Sequence, residues 1–134
     1  MDIPVLVASV SPTFIEISRQ VAAAEAASLN QLVGIGLRKA LEFLVKDFAS
    51  AEHPDREAEI KAVPLAQCIR TYIDDPRVKA VAERAAWLGN DETHYVRRWE
   101  DKDIRDLKVL VQLAVNWIHN HLLTNEYIKT MERS

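Results

Sequence analysis

Apolar residues recur every three or four positions along most of this chain, which is the spacing of one face of an α-helix. These stripes fall within the segments 14–24, 29–48, 65–73, 78–85 and 104–118. No alternation typical of a β-sheet competes with them. The pattern therefore predicts an all-α fold, an antiparallel bundle of about four to five helices.

Local signals predict where several of these helices begin and end. Ser11-Pro12 and Asp75-Pro76 each place a capping side chain directly before a proline that suits the first helical position. Gly89 is predicted to stop the helix that starts at Pro76, because glycine readily adopts the left-handed conformation that ends a helix.

The alanine-rich run before Ser28 leaves two interpretations open. Ser28 followed by Gln31 fits a capping box, which would end one helix and start another. An unbroken long helix is the alternative, because a serine inside such a run is weak evidence for a cap. The next stripe contains Gly34 and Gly36, which cost about 1 kcal/mol each relative to alanine and predict close approach of another helix backbone.

The chain is long enough for one domain with short extensions. Residues 1–10, which include Pro4, are expected to form an extended N-terminal arm. The bundle is predicted over 11–123, followed by a C-terminal tail or helix extension over 124–134. The charged segment 57–63 gives no clear pattern.

The last long helix is predicted to begin around Asp101 to Asp103. Leu110, Leu113 and Trp117 widen its inner stripe, so that the helix is apolar on nearly all sides. A helix of this kind lies either at the centre of a bundle or in a subunit interface. The second alternative supports the expectation of a homodimer.

Composition limits the location and the partners. The net charge of -3 argues against a protein built wholly around nucleic-acid phosphates, although a local basic patch remains compatible with it. Cys68 is the single cysteine and is expected to be a small core residue, so no disulfide forms within the chain. Because the N-terminus lacks the features of a signal peptide and no apolar run approaches about 20 residues, we expect a cytoplasmic protein with no membrane partner.

Neither a metal nor another cofactor is predicted. His119 and His121 are two residues apart and would point to different sides of a helix, with no carboxylate three or four residues from either. Gly34-Ile35-Gly36 lacks the third glycine and the preceding strand of a dinucleotide-binding fingerprint.

The richest chemistry lies in the segment 84–98, RAAWLGNDETHYVRR. If 91–98 is helical with Asn90 as its N-cap, then His94 and the arginines at 97 and 98 follow at one-turn spacing. An amide, an imidazole and a guanidinium would then share one side, where they could bind a phosphate or position a hydroxyl. The alternative interpretation is a helix cap, a buried hydrogen-bonded histidine and solvated arginines.

Three segments together resemble a known family. They are SP-x-FIEI from residue 11, GIGLRKALEFLVKDF (34–48), and WLGNDETHY (87–95) followed by WEDKDIRDLK (99–108). In this order and at this separation they resemble the bacterial domain-of-unknown-function family forty-one forty-five, which is grouped with the HEPN-like (higher eukaryotes and prokaryotes nucleotide-binding) helical domains. The resemblance implies a dimeric helical bundle, and many such domains are metal-independent ribonucleases or parts of defence systems.

The chain departs from the ribonuclease motif at one position. Active members carry an arginine, often followed by a polar residue such as asparagine, several residues before a histidine. Asn90 and His94 match this pattern, but Gly89 stands where the arginine would be, and Arg84 lies farther upstream. Loss of that arginine removes the main donor to a scissile phosphate.

The sequence thus favours a non-catalytic HEPN-like binding or assembly domain, with bacterial defence as its expected setting. The alternative is a divergent metal-independent ribonuclease with His94 as general acid or base and Asn90 orienting it, and a purely structural subunit is the third. The expected partners are a second copy, RNA or a nucleotide-like ligand, and a protein of a defence or restriction system. The candidate ligand-binding residues are Arg38, Glu42, Arg84, Asn90, Asp91, His94, Arg97 and Arg98.

Overall fold

The computed structural model describes residues 1–99 and 102–133. Within these ranges the chain forms seven α-helices and no strand, so the predicted all-α class is confirmed. The helices are α1 (Val5–Val10), α2 (Pro12–Ala26), α3 (Asn30–Glu52), α4 (Glu57–Ala62), α5 (Leu65–Tyr72), α6 (Pro76–Asp91) and α7 (Ile104–Thr130), and a 3-10 turn occupies Pro54–Arg56. No helix in the described part of the chain is long and apolar enough to cross a membrane.

The helix count exceeds the prediction because two short helices were not expected. Residues 1–10 were predicted to be extended, yet α1 is helical and packs on α7, α2 and α3. Its Val7 is fully buried and Val10 packs beside it against the core, which a single unpaired strand could not achieve. The charged helix α4 buries only Ile60.

The central helix is α3, which contacts all six other helices. Its buried apolar side chains cover more than one face, because it must pack against neighbours on several sides. They are Val33, Leu37, Ala40, Leu41, Leu44, Val45, Phe48 and Ala49. The wide apolar surface of α7 packs on α6, α3 and α1, so α7 lies beside the central helix rather than at the centre.

The chain does break between α2 and α3, as one of the two interpretations required. Ser28 adopts a left-handed conformation (φ 58°) in the connection. The capping box predicted at Ser28 does not form, because α3 begins at Asn30 after Leu29 with no side-chain cap. Ser11 is likewise not a side-chain cap: its hydroxyl donates to Asp47 Oδ2 at 2.6 Å, which ties the start of α2 to α3.

Other predicted boundaries are correct. The Asp75 carboxylate caps α6 by accepting the backbone N–H groups of Arg77 and Val78 at 2.9 and 3.2 Å. At the start of α7, Asp103 forms a capping box with Asp106, whereas Asp101 lies outside the described residues. Beyond residue 123 the chain continues α7 to Thr130, the helix-extension alternative, and Ser134 lies outside the described residues.

Gly89 does not stop α6, which continues to Asp91. A Cβ atom added at Gly89 would lie 3.0 Å from Cδ and 3.1 Å from Cβ of Arg38. Glycine is therefore present because α3 and α6 approach closely here, a contact that the sequence does not reveal. On α3, side chains rather than a helix backbone approach Gly34 and Gly36, those of Glu92 and Val21.

Candidate functional site

A continuous chain of polar side chains runs along one side of α3. Arg38 Nε donates to Asn90 Oδ1 at 2.9 Å, and its Nη1 donates to Glu42 Oε1 at 2.6 Å. The other carboxylate oxygen of Glu42 lies 3.1 Å from Lys46 Nζ. We call Asn90, Arg38, Glu42 and Lys46 the polar chain. The charged side chains of the polar chain are partly buried, and that of Lys46 is the least exposed of them.

Lys46 is the end of the polar chain and is almost fully buried. Its ammonium donates to the carbonyl oxygens of Val63 and Lys61 at 2.6 and 3.2 Å. These carbonyls belong to the end of α4, where backbone acceptors lack helical partners and a cation is favourable. Lys46 therefore connects the short helix α4 to α3.

The environment of Glu42 favours its ionised form. Burial of the carboxyl group by itself raises its pKa, but the hydrogen bonds and charges of Arg38 and Lys46 outweigh that effect. The pKa of Glu42 therefore lies below its ordinary value of 4.5. The carboxylate holds two cations in place, so Glu42 and Arg38 already have protein partners in this structure.

The segment after α6 is not the helix predicted over 91–98. Residues 92–99 form turns and bends, which we call the connection. Asn90 is not an N-cap but lies in the last turn of α6, where its carbonyl oxygen accepts from the backbone N–H and the hydroxyl of Thr93 at 3.0 and 2.8 Å. No helix follows, because the side chains and carbonyl groups of this segment form the hydrogen bonds of turns rather than those of a helix.

Asp91 shapes the connection. Its carboxylate is only 4% exposed and accepts the backbone N–H groups of Trp99 and Arg98 at 2.6 and 3.2 Å. These bonds fold the connection back onto the end of α6. The predicted ligand residue Asp91 therefore serves the fold, because both of its oxygens are already hydrogen-bonded.

A polar cleft of about 640 Å³ lies between the end of α6 and the connection. Of the predicted site residues, it brings together Asn90, Asp91, His94 and Arg98. His94 is exposed rather than buried, as is Arg98. The remaining lining residues are Trp87, Val96 and Trp99.

Other predicted site residues lie outside the polar cleft. Arg97 donates through Nη2 to the carbonyl of Lys102 at 2.8 Å and lies 3.3 Å from Glu92, so it holds the connection closed. Arg84 donates through Nη1 to the Ala80 carbonyl at 2.9 Å and lies near the ring of Trp87. The eight candidates therefore do not form one site. Arg38 and Glu42 belong to the polar chain, Asp91, His94 and Arg98 line the polar cleft, and Asn90 belongs to both. Arg84 and Arg97 lie elsewhere.

Aromatic residues of the site were missed by sequence reasoning. The rings of Trp87 and Trp99 stack nearly parallel, at 3° and with centroids 6.0 Å apart, although both side chains are partly exposed. Tyr95 is fully exposed in the connection. Three large aromatic side chains within thirteen positions of a polar segment were the available signal, because exposed aromatic side chains are typical of binding sites.

At the other end of α3, His121 contacts carboxylates that the sequence did not associate with it. Its Nε2 atom contacts the carboxylate of Glu52 at the end of α3, and its Nδ1 atom lies 3.6 Å from a carboxylate oxygen of Asp75. These partners are distant in sequence, so the three- and four-residue spacings could not show them. Within residues 1–99 and 102–133, no group of histidine, cysteine and carboxylate side chains has the geometry of a metal site.

Comparison with known proteins identifies no relative of this chain. No family model, no curated protein and no solved structure matches this chain. The resemblance to family forty-one forty-five and to HEPN-like domains therefore stays a prediction.

Proposed function

We propose that this protein is a non-catalytic, HEPN-like binding domain whose polar cleft takes a nucleotide-like ligand, with single-stranded RNA as the natural form. The observation that carries the proposal is the composition of the cleft and its rim. The exposed rings of Trp87 and Trp99 line the cleft together with the exposed cation Arg98, and the fully exposed Tyr95 lies in the connection that forms one wall of the cleft. Single strands are bound by such combinations, because bases stack on aromatic faces while cations neutralise the phosphates.

We propose that the domain is non-catalytic because the residues at the motif positions make contacts within the protein. Asn90 Oδ1 accepts from Arg38, and Arg38 also donates to Glu42, so this amide oxygen and this guanidinium could hold a reacting group only by breaking these bonds. Gly89 at the arginine position packs against Arg38. A site for phosphate cleavage needs hydrogen-bond donors that point at the transition state. In the polar chain, the donors of Arg38 point at Asn90 and Glu42 instead.

A divergent ribonuclease is the second candidate, favoured by one observation. His94 and Arg98 line the same cleft. In that candidate His94 would act as general acid or base, and Arg98 would replace the missing arginine as phosphate clamp. Arg84 does not line the polar cleft, so Arg98 is the arginine that this candidate would use.

A homodimer is part of the proposal, in a cytoplasmic bacterial setting with a defence-system protein as a further partner. Its support is an apolar surface on α3, where Leu32, Ile35 and Phe43 are exposed. A second copy would remove these side chains from water. Light scattering of the preparation used for binding gives the mass directly.

The test is binding of a fluorescently labelled, mixed-sequence single-stranded RNA of about twelve nucleotides, followed by anisotropy. Tyr95→Ala is the cleanest variant, because the side chain is fully exposed and the fold loses nothing. We expect Tyr95→Ala to weaken binding about tenfold through lost stacking. Arg98→Gln should weaken it and reduce the salt dependence by about one counterion.

Arg19→Gln is the matched control, because Arg19 is an exposed arginine on α2 and lines no described cleft. It should leave affinity unchanged. Equal losses for Arg19→Gln and Arg98→Gln would show non-specific charge attraction and contradict the proposed site. RNA cleavage that persists with a chelator and disappears in His94→Ala would establish the second candidate instead.

A further inference from the structure

A second cavity lies where α6, α7 and the connection meet, and only its tryptophan pair takes part in the proposed function. It encloses about 320 Å³ and is lined by Arg84, Trp87, Leu88, Trp99, Lys102, Asp106, Val109 and Leu110. This volume lies at the lower end of the range for small-molecule sites. We call it the apolar cavity.

The walls of the apolar cavity suit a flat hydrophobic molecule. Trp87 and Trp99 contribute indole rings that are parallel to within 3°. The aliphatic side chains of Leu88, Val109 and Leu110 supply the rest of the apolar lining. Aromatic rings prefer offset stacking on other rings, so a planar aromatic body gains more here than a branched aliphatic one.

The charges of the apolar cavity favour an anion as far as the structure describes its lining. Among those described residues two are cations, Arg84 and Lys102, and one is a carboxylate, Asp106. Asp106 Oδ2 already accepts the backbone N–H of Asp103 at 2.9 Å in the capping box of α7. The described residues accept one N–H group of Arg84, through the Ala80 carbonyl, and a guanidinium has five such groups.

We propose that the apolar cavity binds a planar aromatic carboxylate, with the ring system against Trp87 and Trp99 and the carboxylate on Arg84. This site adjoins the proposed nucleotide site and shares Trp87 and Trp99 with it. The polar groups of the two differ, because Asn90, His94 and Arg98 line only the polar cleft, whereas Arg84 lines only the apolar cavity.

The test uses 2-naphthoate as the probe, titrated into the full chain by calorimetry, with neutral 2-naphthamide as the matched compound. We expect 2-naphthoate to bind with a Kd below about 1 mM. The amide should bind at least about fivefold more weakly, because it lacks the charge that pairs with Arg84. Arg84→Gln should weaken 2-naphthoate by about tenfold and leave the amide unchanged.

Val109→Trp tests the location, since Val109 is 58% exposed and a larger side chain there can fill the cavity without disturbing the core. It should abolish binding of both compounds, while Arg98→Gln in the polar cleft should leave both affinities unchanged. The proposal is overturned if neither compound binds, if both bind equally well, or if binding survives Val109→Trp. Weakening by Arg98→Gln but not by Arg84→Gln would overturn it too, because the probe would then occupy the polar cleft.

Discussion

The polar chain along α3 and the connection after α6 contain similar residue types but use them differently. In the polar chain, Arg38, Glu42 and Lys46 each bond to groups on the protein, and Lys46 is almost fully buried. In the connection, His94, Tyr95 and Arg98 extend into solvent. Charges that are satisfied within the fold stabilise it, whereas exposed charges and rings remain available to a ligand.

The largest expected effect is on stability, from Lys46→Ala in the polar chain. The substitution leaves the carbonyls of Lys61 and Val63 without their donor and Glu42 without one of its two cations. We expect a loss of about 3 kcal/mol in the free energy of unfolding, because buried groups lose charge-assisted hydrogen bonds. Urea unfolding measures it.

Lys39→Ala is the control for Lys46→Ala, since Lys39 is an exposed lysine on the same helix. It should change the free energy of unfolding by no more than about 0.5 kcal/mol. Similar small losses for both variants would mean that water replaces Lys46, and the contrast between the two regions would disappear.

Asp91→Ala tests the buried carboxylate at the end of α6 that holds the connection. Removing its carboxylate leaves the N–H groups of Arg98 and Trp99 without acceptors, at a cost of about 2 kcal/mol. We also expect a red shift of tryptophan fluorescence, because Trp99 is no longer held against Trp87. Asp55→Ala, at a carboxylate that is 81% exposed, should change neither quantity.

The two readouts of Asp91→Ala separate its roles. A loss of stability with no spectral change would show that Asp91 supports α6 without positioning Trp99. The connection would then not depend on this contact for its shape.

The smallest expected effect is the change in the free energy of unfolding caused by Glu42→Gln, and this change should depend on pH. The folded-state pKa of Glu42 is depressed, so its contribution to stability is fully present above the unfolded value near 4.5 and is lost as pH falls through the folded pKa. At neutral pH we expect Glu42→Gln to lose about 0.5–1 kcal/mol relative to wild type. Below pH 4.5 the two curves should converge, as urea unfolding at successive pH values would show.

Glu16→Gln serves as the control for the pH series, because Glu16 is an exposed carboxylate on α2. Its difference from wild type should stay near zero throughout. A difference for Glu42→Gln that persists unchanged in acid would imply that shape rather than charge accounts for the role of Glu42.

Much of the fold could be predicted from local patterns. The apolar spacing located the buried face of α3, and Asp75 was correctly identified as a cap. The short helices α1 and α4 were missed because each is stabilised mainly by contacts with distant residues. A helix of six residues carries too few positions for a periodic pattern to identify it.

The candidate site was predicted less completely. The sequence correctly singled out 84–98 as rich in polar groups, and four of the candidate site residues in it, Asn90, Asp91, His94 and Arg98, do line the polar cleft. The stacked tryptophans and the bond from Arg38 to Asn90 were not predicted. Gly89 was misinterpreted because a glycine that ends a helix and a glycine that admits a neighbouring side chain look the same in a sequence.

By itself, the sequence determined the helical class and the apolar faces, since helix formation depends on spacing and caps within a few residues. Tertiary structure alone decided which polar groups form hydrogen bonds within the protein and which remain exposed to solvent. Arg38 and Asn90 are 52 residues apart, and they meet because Gly89 lets α6 approach α3. Such a contact depends on how two whole helices pack, and this is set by the sum of side-chain shapes along both of them rather than by any local run of residues.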